Sequence, residues 1–176
     1  MLIFLVGYMA CGKSTIGRRL KDRLKLPLYD TDKEIIKAED CSIAELFDSK
    51  GEDYFRETES LVLKSLIINN KDAIISTGGG APIWGDNMSV MNDSGLTVYI
   101  SRTAENIAKR LSAHGREKRP KLRGLSDEEL IDVMHVGISE RDEYYRKAKF
   151  IIEADDYSDD MILDAIVQCV ETLNNK

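Results

Sequence analysis

Leu2 to Val6 is a continuous apolar run, the pattern of a short strand buried on both faces. It enters a glycine-containing turn, and from Ser14 to about Lys25 apolar positions recur at helical spacing. Pro27-Leu28-Tyr29 reads as a second short strand ending at Asp30-Thr31-Asp32. From Lys33 to Ile68 the pattern is helical, with breaks near Cys41-Ser42 and Lys50-Gly51. Ser42 followed by Glu45 is a capping box for the middle piece. Asp72 to Ser76 predicts a third strand, ended by Thr77-Gly78-Gly79-Gly80-Ala81-Pro82. Leu96 to Ile100 predicts a fourth, followed by a helix from about Thr103 to Leu111. Ser112 to Gly124 is basic and lacks hydrophobic periodicity, which predicts a long loop. Ser126, with Glu129 three residues on, caps a helix to about Ala148. Phe150 to Glu153 is a fifth strand, and Asp159 to Leu173 a closing helix.

Strands alternating with helices predict an α/β domain with a parallel sheet and right-handed crossovers. No repeat, low-complexity tract or linker divides the 176 residues, so one domain is expected over 1–176. Two regions look inserted on it, the helices around 33–60 and the basic segment 112–124. With 43% hydrophobic and 32% charged residues the chain can build a core and is not a disordered sequence. A net charge of −6 argues against a dedicated nucleic-acid binder, while local basic groups can still hold a small anion. Cys11, Cys41 and Cys169 lie far apart, and neither they nor His114 and His135 show metal-ligand spacing. The opening apolar run has no basic region ahead of it and is too short to span a bilayer. A cytoplasmic, reducing setting with no membrane partner is the expectation.

Gly7-Tyr8-Met9-Ala10-Cys11-Gly12-Lys13-Ser14 fits G-x-x-x-x-G-K-[ST], between an apolar strand and an amphipathic helix. The glycines let successive backbone N–H groups turn toward phosphate oxygens, and the helix N-terminus adds partial positive charge. Lys13 would neutralise the β and γ phosphates, and the Ser14 hydroxyl is a hard ligand for Mg²⁺. Cys11 sits where a helix N-terminus can lower a thiol pKa, but a small side chain pointing into the body is the favoured reading.

An N-K-x-D base-reading motif is missing: Asn70-Lys71-Asp72 is one residue too short and precedes a strand. That argues against a GTPase and toward a small-molecule or nucleotide kinase, which needs a closing lid to keep water from the transferring phosphoryl group. On an extended segment, Asp30 and Asp32 would point to the same side and converge on one site, although an Asx turn and helix cap explain them as well. Arg56 in Phe55-Arg56-Glu57 is by itself an ordinary solvated or salt-bridged arginine. Three consecutive glycines, Gly78 to Gly80, make sense where something approaches the backbone closely. Arg116, Lys118, Arg119, Lys121 and Arg123 form either a solvated face or a lid that delivers an arginine to phosphate. Arg141 has Gly137, Ile138, Tyr144 and Tyr145 at helical neighbour spacing, so no acid is placed to pair with it along the helix.

Taken in order, Gly7–Thr15, Asp30-Thr31-Asp32, Phe55-Arg56-Glu57, Gly78–Gly80, Arg119-Pro120 and Glu140-Arg141…Tyr145 resemble the motif set of the shikimate kinases, over about residues 1–155. The resemblance implies a three-layer α/β/α fold of the nucleoside-monophosphate-kinase type, with a five-stranded parallel sheet of order 2-3-1-4-5. It implies a helical substrate-binding insertion and a lid, and transfer of the ATP γ-phosphoryl group to the 3-hydroxyl of shikimate on the route to chorismate. Through it, Ala10, Cys11, Gly12, Lys13, Ser14 and Thr15 hold ATP, with Arg110 and Arg119 also at the nucleotide. Ser14 and Asp30 take the Mg²⁺ positions. Asp32 meets the reacting hydroxyl; Arg56 and Arg141 clamp the carboxylate; Gly78, Gly79 and Gly80 form a wall for the substrate. Asp32, Lys13 and Arg119 carry the catalytic roles. A monomer without nucleic-acid partners is implied.

Two positions depart from the family pattern. Ala10 replaces a glycine, so it should have an ordinary φ or the loop should be rearranged. Glu143 replaces a proline, so the helix around Arg141 should run on without a kink. Gluconate-type or nucleoside-monophosphate kinases and a non-catalytic nucleotide-binding module are the competing readings, and each leaves part of this residue set unexplained.

Overall fold

The computed structural model describes residues 1–111, 115–116 and 122–175. Its strands are β1 (Leu2–Val6), β2 (Leu28–Asp30), β3 (Ala73–Ser76), β4 (Gly95–Ser101) and β5 (Phe150–Glu153). They form one parallel sheet in the order β2-β3-β1-β4-β5, as expected for this class. β1 lies in the middle and is buried throughout, which requires cover on both faces. The helices are α1 (Lys13–Leu24), α2 (Thr31–Glu39), α3 (Ile43–Asn69), α4 (Asn87–Ser94), α5 (Ala104–Arg110), α6 (Asp127–Ser139), α7 (Asp142–Tyr145) and α8 (Asp159–Asn174). Helix α1 turns Ile16 and Leu20 inward, and α8 contributes Ile162, Ile166 and Val170 to the same core.

The inserted helices hold a second, smaller cluster of Ile35, Leu46 and Phe55, where the Phe47 and Phe55 rings stand 4.6 Å apart. Both breaks fall where local chemistry puts them. Ser42 Oγ accepts from Glu45 N at 3.2 Å and Ser42 N donates to Glu45 Oε2 at 2.8 Å, which starts α3. Gly51, at φ 83 and ψ 175, kinks α3.

Four local expectations are corrected. β2 ends at Asp30, and Asp32 lies in the first turn of α2, so strand alternation does not relate the two carboxylates. Acidic side chains suit a helix start, and the Thr31 hydroxyl accepts from Gly78 N at 2.8 Å, drawing that start onto the end of β3. The segment between the glycine run and β4 contains a 3₁₀ turn, Ala81–Ile83, and α4, which has too little apolar periodicity to be read in advance. In the basic segment, Gly115 and Arg116 are helical and Leu122 is buried in the main core. Arg116 pairs with Asp127 at 2.7 Å. Finally, the helix begun by Ser126 stops at Ser139 and restarts at Asp142. The kink is present without a proline, because Tyr145 is drawn fully into the core, its ring 5.1 Å from Tyr99.

Candidate active site

The strand-to-helix turn after β1 has Gly7 at φ 139 and Gly12 at φ 116. A Cβ on Gly7 would come within 2.9 Å of the Ile100 carbonyl, so the first glycine answers both to φ and to space. Ala10 stands at φ 59. It therefore keeps the left-handed turn that a glycine would take, rather than an ordinary φ. Lys13, the first residue of α1, curls back over the loop and donates to the Gly7 carbonyl at 2.7 Å and the Tyr8 carbonyl at 2.8 Å. The Cys11 thiol is buried, 3.8 Å from Lys13 Nζ, and points into the body of the protein. Ser14 Oγ donates to Asp30 Oδ2 at 3.5 Å.

Ala10, Gly12, Lys13, Ser14, Thr15 and Arg110 line a cavity of about 260 Å³. Arg110, in the last turn of α5, is anchored to Asp159 at 3.0 Å and flanks the loop close to Gly12. Arg102 went unnoticed in the sequence. It is buried at the end of β4, donating from Nε to the Cys11 carbonyl at 3.1 Å and from Nη1 to the Ala154 carbonyl at 2.5 Å. Arg102 thus fastens the tight part of the loop to the residue after β5. The available signal was its place just after a predicted parallel strand, at the sheet end where ligands bind. Burial pushes its guanidinium below the usual arginine range.

Asp32, Arg56 and Glu59 converge on the glycine run. A Cβ on Gly80 would overlap the Arg56 guanidinium, and one on Gly78 would overlap Glu59 and stand 3.0 Å from Asp32 Oδ1. The close approach expected of these glycines is real, and the groups approaching are the protein's own arginine and carboxylates. A Cβ on Gly79 would stand 3.5 Å from Met9 N in the phosphate loop, and the Gly79 carbonyl accepts from Tyr145 Oη at 2.5 Å.

Arg56 is held by Glu59 at 2.7 Å and by Glu52 at 3.3 Å. Glu59 is fully buried, and its Oε1 has no hydrogen-bond partner. Burial raises the Glu59 pKa above the ordinary carboxylate range, Arg56 opposes the rise, and the nearby Asp32 charge adds to it. Glu59 is the second residue that went unread, one acid among several on an amphipathic helix. Arg141 stands at the break between α6 and α7, and its guanidinium lies over the Tyr8 ring, 5.3 Å from the centroid. Arg119 lies outside the described residues.

Phosphate loop, glycine run and arginines thus meet at one end of the sheet. The family model for shikimate kinase matches residues 9–171. The chain belongs to the shikimate kinase family. It is 38% identical to the shikimate kinase of Bacteroides fragilis, over 98% of this chain and 96% of that protein. The crystal structure of a shikimate kinase from Bacteroides thetaiotaomicron superposes with a TM-score of 0.87 at 35% identity, covering 100% of this chain and 99% of that one. A shikimate kinase from Acinetobacter baumannii, solved in complex with shikimate, superposes with a TM-score of 0.85 at 31% identity, covering 99% and 94%. Membership in the shikimate kinase family accounts for the order of the motifs and for the sheet order together.

Proposed function

We propose that this chain transfers the γ-phosphoryl group of ATP to the 3-hydroxyl of shikimate, giving ADP and shikimate 3-phosphate on the route to aromatic amino acids. The observation that carries the reading is the glycine run. In three residues it touches Asp32 and Glu59, the phosphate loop, and Arg56, so a phosphate cradle, a carboxylate and a guanidinium share one wall. The Acinetobacter relative, solved with shikimate, supports the choice of acceptor.

On this reading the acceptor oxygen attacks the γ-phosphorus, the bond to the β–γ bridging oxygen breaks, and Asp32 orients the hydroxyl and receives its proton. Arg56 and Arg141 bind the carboxylate, where the guanidinium fork suits two oxygens at once. Lys13 leaves the Gly7 and Tyr8 carbonyls for phosphate oxygens, exchanging neutral acceptors for charged ones. Gly12 to Thr15, with Ala10 and Cys11, present backbone N–H groups, Arg110 flanks the nucleotide, and Arg119 reaches its phosphates. Ser14 Oγ and Asp30 Oδ2 are adjacent hard oxygens that suit Mg²⁺. Among the described residues no cluster of three or more His, Cys, Asp or Glu is arranged for a metal, which fits an ion held mainly by phosphate and water. Bound there, Mg²⁺ supplies charge neutralisation on the phosphates. The enzyme works as a cytoplasmic monomer with small-molecule partners only. No helix among the described residues is long and apolar enough to cross a membrane.

ADP release from Mg-ATP, measured in a coupled assay with shikimate, gluconate, AMP or no acceptor, tests the proposal. Strong shikimate-dependent turnover over a low background is the expected result. Turnover with gluconate or AMP in its place would overturn the acceptor assignment and keep the kinase. Absence of acceptor-dependent turnover would favour a nucleotide-binding module.

A further inference from the structure

The two arginines assigned to the acceptor carboxylate are held in different ways. Arg56 is paired with two acids, one of them fully buried, so much of its charge is already answered. Arg141 makes no ion pair with any described residue, and its neighbours along the helix, Gly137, Ile138, Tyr144 and Tyr145, provide no acid. It also stands at a helix break, where the backbone ladder is interrupted. A long, flexible side chain in that position still has to be oriented before it can clamp a carboxylate. Among the described residues, the contact that can do so is the Tyr8 ring, 5.3 Å from the guanidinium.

Tyr8 is itself firmly seated. It is 5% exposed, its backbone carbonyl takes the Lys13 ammonium, and its hydroxyl lies where a Cβ on Gly137 would be. Gly137 has no turn to make inside α6; its missing side chain is the space that the Tyr8 hydroxyl fills. Within G-x-x-x-x-G-K-[ST], position 8 is one of those the phosphate chemistry leaves open.

We infer that Tyr8 is a positioning residue for Arg141, a seat on the phosphate loop that orients the guanidinium without neutralising it. An acidic partner would compete with the incoming carboxylate for the same donors. An aromatic face attracts a cation through its quadrupole and leaves the net charge in place for the acceptor. One residue of the phosphate loop then serves the acceptor side of the site. The inference rests on the proposed role of Arg141 as a carboxylate clamp.

The test is steady-state kinetics with shikimate and ATP for Tyr8→Phe, Tyr8→Leu, Arg141→Met and the Tyr8→Leu/Arg141→Met double variant, each checked for its thermal midpoint. Tyr8→Leu is expected to raise the shikimate KM by about 2- to 30-fold, the range of a cation–π contact, and to move the ATP KM by less than about twofold. Tyr8→Phe keeps the ring and is expected to retain a near-native shikimate KM. In the Arg141→Met background, Tyr8→Leu should add less than about twofold, because nothing remains for the ring to orient. Gly137→Ala, which displaces the tyrosine without removing it, should reproduce the Tyr8→Leu pattern and covers the case of a leucine variant that does not fold. If Arg141→Met raises the shikimate KM and neither Tyr8→Leu nor Gly137→Ala does, the seat is wrong and the clamp stands. If Arg141→Met leaves that KM unchanged, the clamp assignment falls and takes the seat with it. Equal rises in the KM for both substrates would make Tyr8 a support of the phosphate loop only.

Discussion

Ala10 occupies a left-handed turn at φ 59, where a Cβ crowds the following carbonyl. The surrounding contacts hold it there, among them the Arg102 bond to the neighbouring Cys11 carbonyl. Ala10→Gly should therefore raise unfolding stability by about 0.5–1 kcal/mol, the relief of strain exceeding the entropy that glycine adds to the unfolded chain. Urea unfolding at neutral pH measures it, and a lower midpoint for the glycine variant would show that the turn is not strained. Asp32 makes the sharper chemical prediction. Asp32→Asn should lose about 10²- to 10⁴-fold in kcat while the ATP KM moves only a few-fold, since an amide cannot take the acceptor proton. A kcat within a few-fold of the parent would remove Asp32 from the reacting hydroxyl. The residues that motifs mark, Lys13, Asp32, Arg56 and Arg141, were legible because each sits in a short pattern with its own chemistry. Glu59, Arg102 and Tyr8 were not, because their meaning depends on which side chain or carbonyl another element brings to them.

Among the elements, those whose ends rest on local chemistry could be read directly. The Ser42–Glu45 box and Gly51 divide the inserted helices where their residues say they should. The break at Arg141 and the helix Asn87–Ser94 could not, since tertiary contacts decide the first and the second has little periodicity to show. Ser42→Ala should cost about 0.5–2 kcal/mol of stability. The small cluster of Ile35, Leu46 and Phe55 is separate from the main core, so this loss should also loosen the segment carrying Arg56. A higher shikimate KM with an unchanged ATP KM is the expected signature. An equal rise in both would mean that the insertion and the phosphate loop move together.

At the scale of the molecule, the buried acid beside Arg56 links folding to pH. Glu59 holds its proton above the ordinary value of 4.5, so the folded state binds a proton that the unfolded chain has released. The corresponding stability is full below that value and declines as pH rises from 4.5 toward the raised folded pKa. Glu59→Gln should flatten this part of the pH profile, read as urea midpoints across the window. A slope that survives the substitution would assign it to other groups. The sheet order was accessible to the sequence only through the resemblance, because alternating strands and helices imply parallel pairing without saying which strands are neighbours.

That pairing also governs when the site comes into being. β1, which launches the phosphate loop, bonds on one side to Ala73–Ser76 and on the other to Gly95–Ser101, so its neighbours lie far along the chain. Both partners are distant in sequence, so loop closure has to be met before these contacts form. Arg102, which fixes the loop, and Ala154, which fixes Arg102, come later still. The phosphate-binding motif lies in the turn directly after β1, yet the contacts that fix it reach across the sheet to Arg102 and on to Ala154, so this cradle is complete only once β5 has docked. ATP, which binds only the assembled cradle, should therefore stabilise chains whose sheet is complete over partly folded ones.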